Sequence, residues 1–175
     1  MTAAPASKTQ IIIAQLALAL VIGLAAIGLA WHGFSADTRA RIWQSILDRP
    51  GGPMTFRFVL QPVMAAIAAF SDGLRDARTG SSPYLASLLV GSGNRYDQFR
   101  EGLISTARII ILGVTMDVIY QFVEFGTFFP GEAAIIAILL AFVPYLLLRG
   151  PFARLARRWV SAGPANASKG NRNHE

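Results

Sequence analysis

FRFVLQPVMAAIAAFSDGLRDART, residues 56–79, is the stretch on which the fold turns. It has a helical period. Arg57, Gln61, Ala65, Ala68, Asp72 and Arg75 fall on one polar or small face. Val59, Leu60, Val63, Ile67, Phe70 and Leu74 fall on the opposite one. The apolar part, Phe58 to Phe70, is 13 residues long and contains Gln61 and Pro62. Crossing the hydrocarbon core of a bilayer takes about 20 residues. The pattern therefore predicts an amphipathic helix over 56–79, interfacial or half-embedded beside a bundle, rather than a lipid-facing span.

The flanking segments say what kind of bundle this is. On the amino side, IIIAQLALALVIGLAAIGLAW, residues 11–31, is 21 residues with only Gln15 polar. It reads as a transmembrane helix ended by an interfacial tryptophan, Trp31. A cleavable signal peptide is the rival reading, but it would have a shorter apolar region and a more basic start. A short polar tail, 1–10, precedes this helix. Residues 32–55 read as a loop with a short surface helix, in which Ile42, Trp43, Ile46 and Leu47 are the apolar positions. Pro50-Gly51-Gly52-Pro53 ends it.

On the carboxyl side, residues 80–97 read as a loop. Its Gly91-Ser92-Gly93-Asn94 stretch is a turn and not a phosphate loop, because no Gly-Lys-Ser/Thr follows. Residues 98–125 predict a long helix with a transmembrane part over 103–125. Pro130 and Glu132 suit a helix start, and 130–148 is long and apolar enough to span. Pro144 should kink this helix near its inner end. Arg149-Gly150-Pro151 should stop it, leaving a basic juxtamembrane segment, 149–160, and a disordered tail, 161–175.

The bulk composition agrees. The chain has 175 residues, 53% hydrophobic and 15% charged. A soluble domain carries about 25% charged residues. Mean hydropathy is +0.45 and the pI about 10.5. The net charge of +6 would suggest nucleic acid in a soluble protein. Here the basic residues cluster at the ends of apolar segments, where headgroups and positive-inside topology explain them, and no nucleic-acid partner is expected. There is no cysteine, and the only histidines are His32 and His174. Thiolate chemistry is excluded, and neither a metal nor any other cofactor is expected.

Basic-residue counts choose between two topologies. With three spans and residues 56–79 not crossing, Lys8 alone lies outside and fourteen basic residues lie inside. With four spans, eleven lie inside and four outside. Arg108, within a span, is left out of both counts. The expected fold is therefore an all-α membrane protein with three transmembrane helices plus one amphipathic helix, and four transmembrane helices are the alternative. In the three-span form the amino end lies outside, while the 32–55 region and the carboxyl end are cytoplasmic.

Few polar residues lie in the spans. Asp117 sits mid-helix, where a carboxylate costs roughly 2.5–3.5 kcal/mol on insertion scales. Gln121 and Glu124 follow at i+4 and i+7, and Tyr120 borders the stripe. This stripe should face protein or water, as a buried structural group or as a transport path. Arg108, Arg149, Arg154, Arg157 and Arg158 read as lipid-headgroup anchors. Asp72, Arg75, Asp76 and Arg78 read as a solvated, salt-bridged helix end.

LDRPGGPMTFRFVLQPVMAAI, DGLRDARTG, SPYL, REGL, MDVIYQF and FPGEAAIIAILLAFVPYLLLRGP with FARLARRW resemble an uncharacterised family of small bacterial integral inner-membrane proteins, over roughly residues 46–160. The resemblance implies a bacterial cytoplasmic membrane and carries no assigned activity. The expected function is non-catalytic: a partner-binding, assembly or accessory subunit, meeting another membrane protein or itself as well as anionic lipid. The alternative is a small oligomeric transporter or channel subunit using Asp117, Gln121 and Glu124. An enzyme is not expected, since Asp117 and Glu124 have no nucleophile or metal ligand beside them.

Overall fold

Ser7 starts the first helix with a reciprocal cap. Its hydroxyl accepts from the Gln10 N–H at 3.2 Å, and its own N–H donates to the Gln10 side chain at 2.9 Å. From there α1 runs Lys8–His32 and closes on Gly33, whose φ of 64° is open to glycine without strain. The structure, a computed structural model, describes residues 6–33, 40, 42–44, 47–48, 51, 55–80, 84 and 95–161, the last two of these without their side chains. Of the short surface helix expected within 32–55, the described residues 40, 42–44 and 47–48 are helical. The loop expected over 80–97 is described only at 80, 84 and 95–97, of which 84 and 95–97 are helical, and the tail beyond 161 lies outside the described residues.

Three more helical stretches follow. α2 is Arg57–Thr79, ended by Gly80 in the left-handed region. α3 is Arg95–Phe125. After a short turn, α4 begins with Pro130 in its first turn and runs to Ala137. It continues through a π-helical segment, Ile138–Phe142, into α5, Val143–Ser161. The described residues form helices and turns only.

Pro144 explains the π segment. It has no N–H to donate to the Leu140 carbonyl, and its ring crowds that carbonyl. The residue before it, Val143, donates instead five residues back, to Ile138. The helix thus widens where a kink was expected. Arg149-Gly150-Pro151 does not end the helix, which corrects the expected stop at 148. α5 runs through Pro151, and Ala153 and Ala156 beyond it are buried. A mid-helix proline costs about 3 kcal/mol. Packing of this segment on α2 and the ion pairs of Arg149 offset that cost.

The contacts fix the helix directions. Arg57 of α2 meets Asp117, Gln61 lies against Gly113, and Asp72 accepts from Ser105. Rising numbers on α2 pair with falling numbers on α3, so the two are antiparallel along their length. Gly113 also touches Ala137, and Gly73 touches Ala153, so α2 runs parallel to the α4–α5 helix. The start of α1 lies beside Asp97 and Arg100 of α3, and its end packs Gly28 onto Gly131. A Cβ on Gly28 would stand 2.5 Å from the Gly131 nitrogen, so only glycine allows this approach. The four helices therefore alternate in direction, with the start of α1 and the end of α5 at one end of the bundle. A helix lying flat across one end, one of the expected forms of 56–79, is not what forms. α2 stands lengthwise in the bundle and packs most heavily on α5.

Three helices are long and apolar enough to cross a membrane: Lys8–His32, Arg95–Phe125 and Pro130–Trp159. They are what a multi-pass membrane protein requires. α2 is inside-out relative to a helix of a water-soluble protein. Arg57, Gln61, Ala65, Ala69, Gly73 and Asp76 are buried, while Val59, Leu60, Val63, Ile67 and Phe70 are exposed. Its 23 residues extend over about 34 Å, comparable with the hydrocarbon core.

Candidate functional site

The buried face of α2 carries a polar group at each end and alanines between. At its first turn Arg57 donates to Asp117 at 2.6 Å, with the side chains 2% and 0% exposed. The other Asp117 oxygen accepts from the Gln121 amide at 2.5 Å. Gln121 in turn accepts from the Phe129 N–H at 2.5 Å and reaches the Phe129 carbonyl at 3.3 Å. It thereby anchors the turn between α3 and α4. The Arg57 guanidinium also lies 5.7 Å and 6.0 Å from the ring centres of Phe58 and Tyr120.

One turn along α2, Gln61 is 1% exposed, and neither its carbonyl nor its amide nitrogen finds a hydrogen-bond partner among the described residues. It lies so close to Gly113 that a Cβ there would stand 2.1 Å from its amide nitrogen. Beyond it come Ala65 and Ala69, both fully buried. From Gln61 to Asp72 is eleven helical steps, about 16 Å of predominantly apolar contact. The hydroxyl of the buried Thr106 is already spent on the Gly102 carbonyl, at 2.8 Å.

The second cluster centres on Arg149, which is 2% exposed. Its guanidinium forks onto both Asp76 oxygens at 2.8 Å each, the geometry that makes arginine–carboxylate pairs strong. It also donates to the Tyr145 hydroxyl at 2.7 Å and to Glu101 at 3.1 Å. Tyr145 passes its own proton donation to Asp72 at 2.7 Å, where Ser105 donates at 2.5 Å. Arg75 joins Asp72 at 3.1 Å and bonds Glu101. Tyr84 caps the cluster: its ring centre lies 4.0 Å from the guanidinium carbon, and its hydroxyl donates to the Gln98 carbonyl at 2.5 Å. Burial pushes the Tyr84 hydroxyl up to about 12, outweighing the downward pull of Arg149.

The expected residues are thus redistributed. Asp117, Tyr120 and Gln121 are buried together, whereas Glu124 is exposed. Arg149 is not a headgroup anchor; it is the centre of a buried ion network. Asp72 and Asp76 likewise belong to that network and not to a solvated helix end. Arg108, Arg154 and Arg158 are exposed, and Arg157 is half-buried. Arg57 was not singled out as the partner of Asp117, although Arg57–Gln61 and Asp117–Gln121 are opposite-charge stripes at the same i, i+4 spacing. Among the described residues no group of three metal-ligating side chains comes together. No family model, no curated protein and no solved structure matches the chain.

Proposed function

We propose that this chain is a non-catalytic integral protein of a bacterial cytoplasmic membrane, crossing it four times with the start of α1 and the end of α5 in the cytoplasm. On this reading it is a partner-binding, assembly or accessory subunit. The observation that carries the topology is the inside-out α2. A helix that hides Arg57, Gln61 and Asp76 and presents Val59, Leu60, Val63, Ile67 and Phe70 is stable where the surrounding solvent is hydrocarbon. The alternating helix directions favour four crossings over three. The basic-residue count still leaves eleven inside against four outside.

The accessory role is supported by how the buried charges are used. Asp76 is held by Arg149, Asp117 by Arg57, and Glu132 has a partner of its own. None is held in reserve for a substrate. A transport path along Asp117 and Gln121 would have to pass the alanine stretch between Gln61 and Asp72.

Reporter fusions after Pro50 and after Ser161 test the topology. The expected readings are periplasmic and cytoplasmic. A cytoplasmic reading at both places refutes four crossings. Purified protein in proteoliposomes tests the role, because an ion or proton flux abolished by Asp117→Asn in a correctly folded variant would overturn the accessory reading.

A further inference from the structure

Beside the second cluster, between the start of α1 and the α2–α3 pair, lies a cleft of about 560 Å³. It is lined by Gln10 of α1, Asp72 and Arg75 of α2, and one face of α3 that includes Arg100, Ser105 and Arg108. Its carboxylates are engaged. Asp72 accepts from Ser105 and Tyr145, Glu101 takes Arg75 and Arg149, and Asp97 has a partner of its own. Two of its arginines are different. Arg100 and Arg108 are exposed and form no ion pair or hydrogen bond among the described residues. They stand on the same face of α3, eight residues apart, about 12 Å along the axis.

Arg108 makes this unusual. It lies well inside a helix long and apolar enough to span a membrane. A guanidinium does not shed its proton, so at that depth an anion stabilises it, and none of the described residues pairs with Arg108. An apolar groove adjoins the cleft and shares Arg100 and Ile104 with it. The groove, of about 380 Å³, runs between Ile11 and Leu18 of α1 and Phe99 and Leu103 of α3.

We propose that the cleft and groove bind one anionic phospholipid. Arg100 and Arg108 take the phosphate, and an acyl chain lies between α1 and α3. Planar guanidinium groups suit phosphate oxygens. The adjoining groove argues for a lipid over a free phosphate, because an inorganic anion has no use for it. This inference rests on the membrane reading of the chain, but not on the number of crossings.

Native mass spectrometry of the full chain, released from nanodiscs of mixed composition, tests it. The expected result is one retained phosphatidylglycerol, preferred over phosphatidylcholine by about thirtyfold, the worth of two arginines near a headgroup. Arg100→Gln with Arg108→Gln should bring the preference close to unity, whereas Arg154→Gln with Arg158→Gln should leave it intact. Equal retention of both lipids, or a preference that survives the first pair, overturns the site. Inorganic phosphate added to the released protein should not displace the lipid; if it does so and binds in its place, the lipid assignment is overturned. Equal lipid retention by a chain whose reporters read as proposed removes the site and leaves the topology standing.

Discussion

Breaking the Arg57–Asp117 pair should cost more from one side than from the other. Both side chains are out of contact with solvent, and their 2.6 Å contact is the main compensation for burying either charge. Removing one partner of such a pair typically costs about 3–5 kcal/mol. Asp117→Asn removes the charge that faces the guanidinium, which stays charged beside the Phe58 and Tyr120 rings. Arg57→Met leaves the carboxylate without its arginine, but it still accepts from Gln121. The aspartate variant should therefore lie near about 4–5 kcal/mol and the arginine variant near about 3. The double variant Arg57→Met, Asp117→Leu removes both charges and should fall within about 1–2 kcal/mol of the parent, since apolar replacement of a buried pair is often close to neutral. Reversible unfolding in mixed micelles of rising SDS fraction, followed by far-ultraviolet circular dichroism, gives all four stabilities. Costs that simply add in the double variant would refute the pairing.

Two glycine substitutions should differ for a stated reason. Gly28→Ala drives a methyl into the Gly131 backbone, 2.5 Å away, and has to push α1 off α4. Gly113→Ala clashes with the side-chain end of Gln61 and meets the Ala137 backbone only at ordinary contact distance, so Gln61→Ala should rescue it. The first should cost about 3 kcal/mol and the second about 1 by the same unfolding assay, as overpacking usually does. Tyr84 predicts a base-labile stability component. Its hydroxyl is raised in the folded chain, from 10.0 to about 12. The stability it contributes is therefore fully present below pH 10 and is lost as pH rises through about 12. Tyr84→Phe should flatten the stability profile across that window, and an unchanged profile would remove Tyr84 as its source.

How much of this was legible in the sequence depends on what each signal measures. The three long apolar helices were plain, because length and composition suffice for them. The two faces of 56–79 were plain from Arg57 to Ala65, since periodicity reports which residues share a face; further on the buried positions are Ala69, Gly73 and Asp76 where the pattern grouped Ala68, Asp72 and Arg75. Periodicity does not report which face meets solvent. Reading the Arg57–Gln61–Asp72 face outward assumes water, and the opposite holds in lipid. The partner of Asp117 lies sixty residues away in the chain, and no local pattern marks such a distance. Arg149 was misread for a related reason. An arginine at the end of an apolar run usually meets headgroups, but here the helix does not end. Gly150 and Pro151 are breakers only until tertiary packing outweighs them, and Ala153 and Ala156 against α2 supply that packing.

The two ion networks do together what apolar packing does not do between helices in hydrocarbon. Side chains of α1, α2 and α3 are no more apolar than lipid tails, so burial alone barely distinguishes one register of α2 on α3 from another. Arg57–Asp117 at one end and Arg75–Glu101 at the other pin that register twice, about 27 Å apart along α2. A slip of one helical turn carries Arg57 from Asp117 to the level of Gly113 or Gln121 and separates Arg75 from Glu101 in the same movement. Gln61 would also leave the only kind of residue, a glycine, that makes room for it. The wrong register therefore loses both ends at once. The apolar stretch from Ala65 to Ala69 between the pins lets α2 approach its neighbours closely without adding a polar group that a slipped register could use. The charges that look costly on α2 are thus the part of its sequence that specifies where it sits.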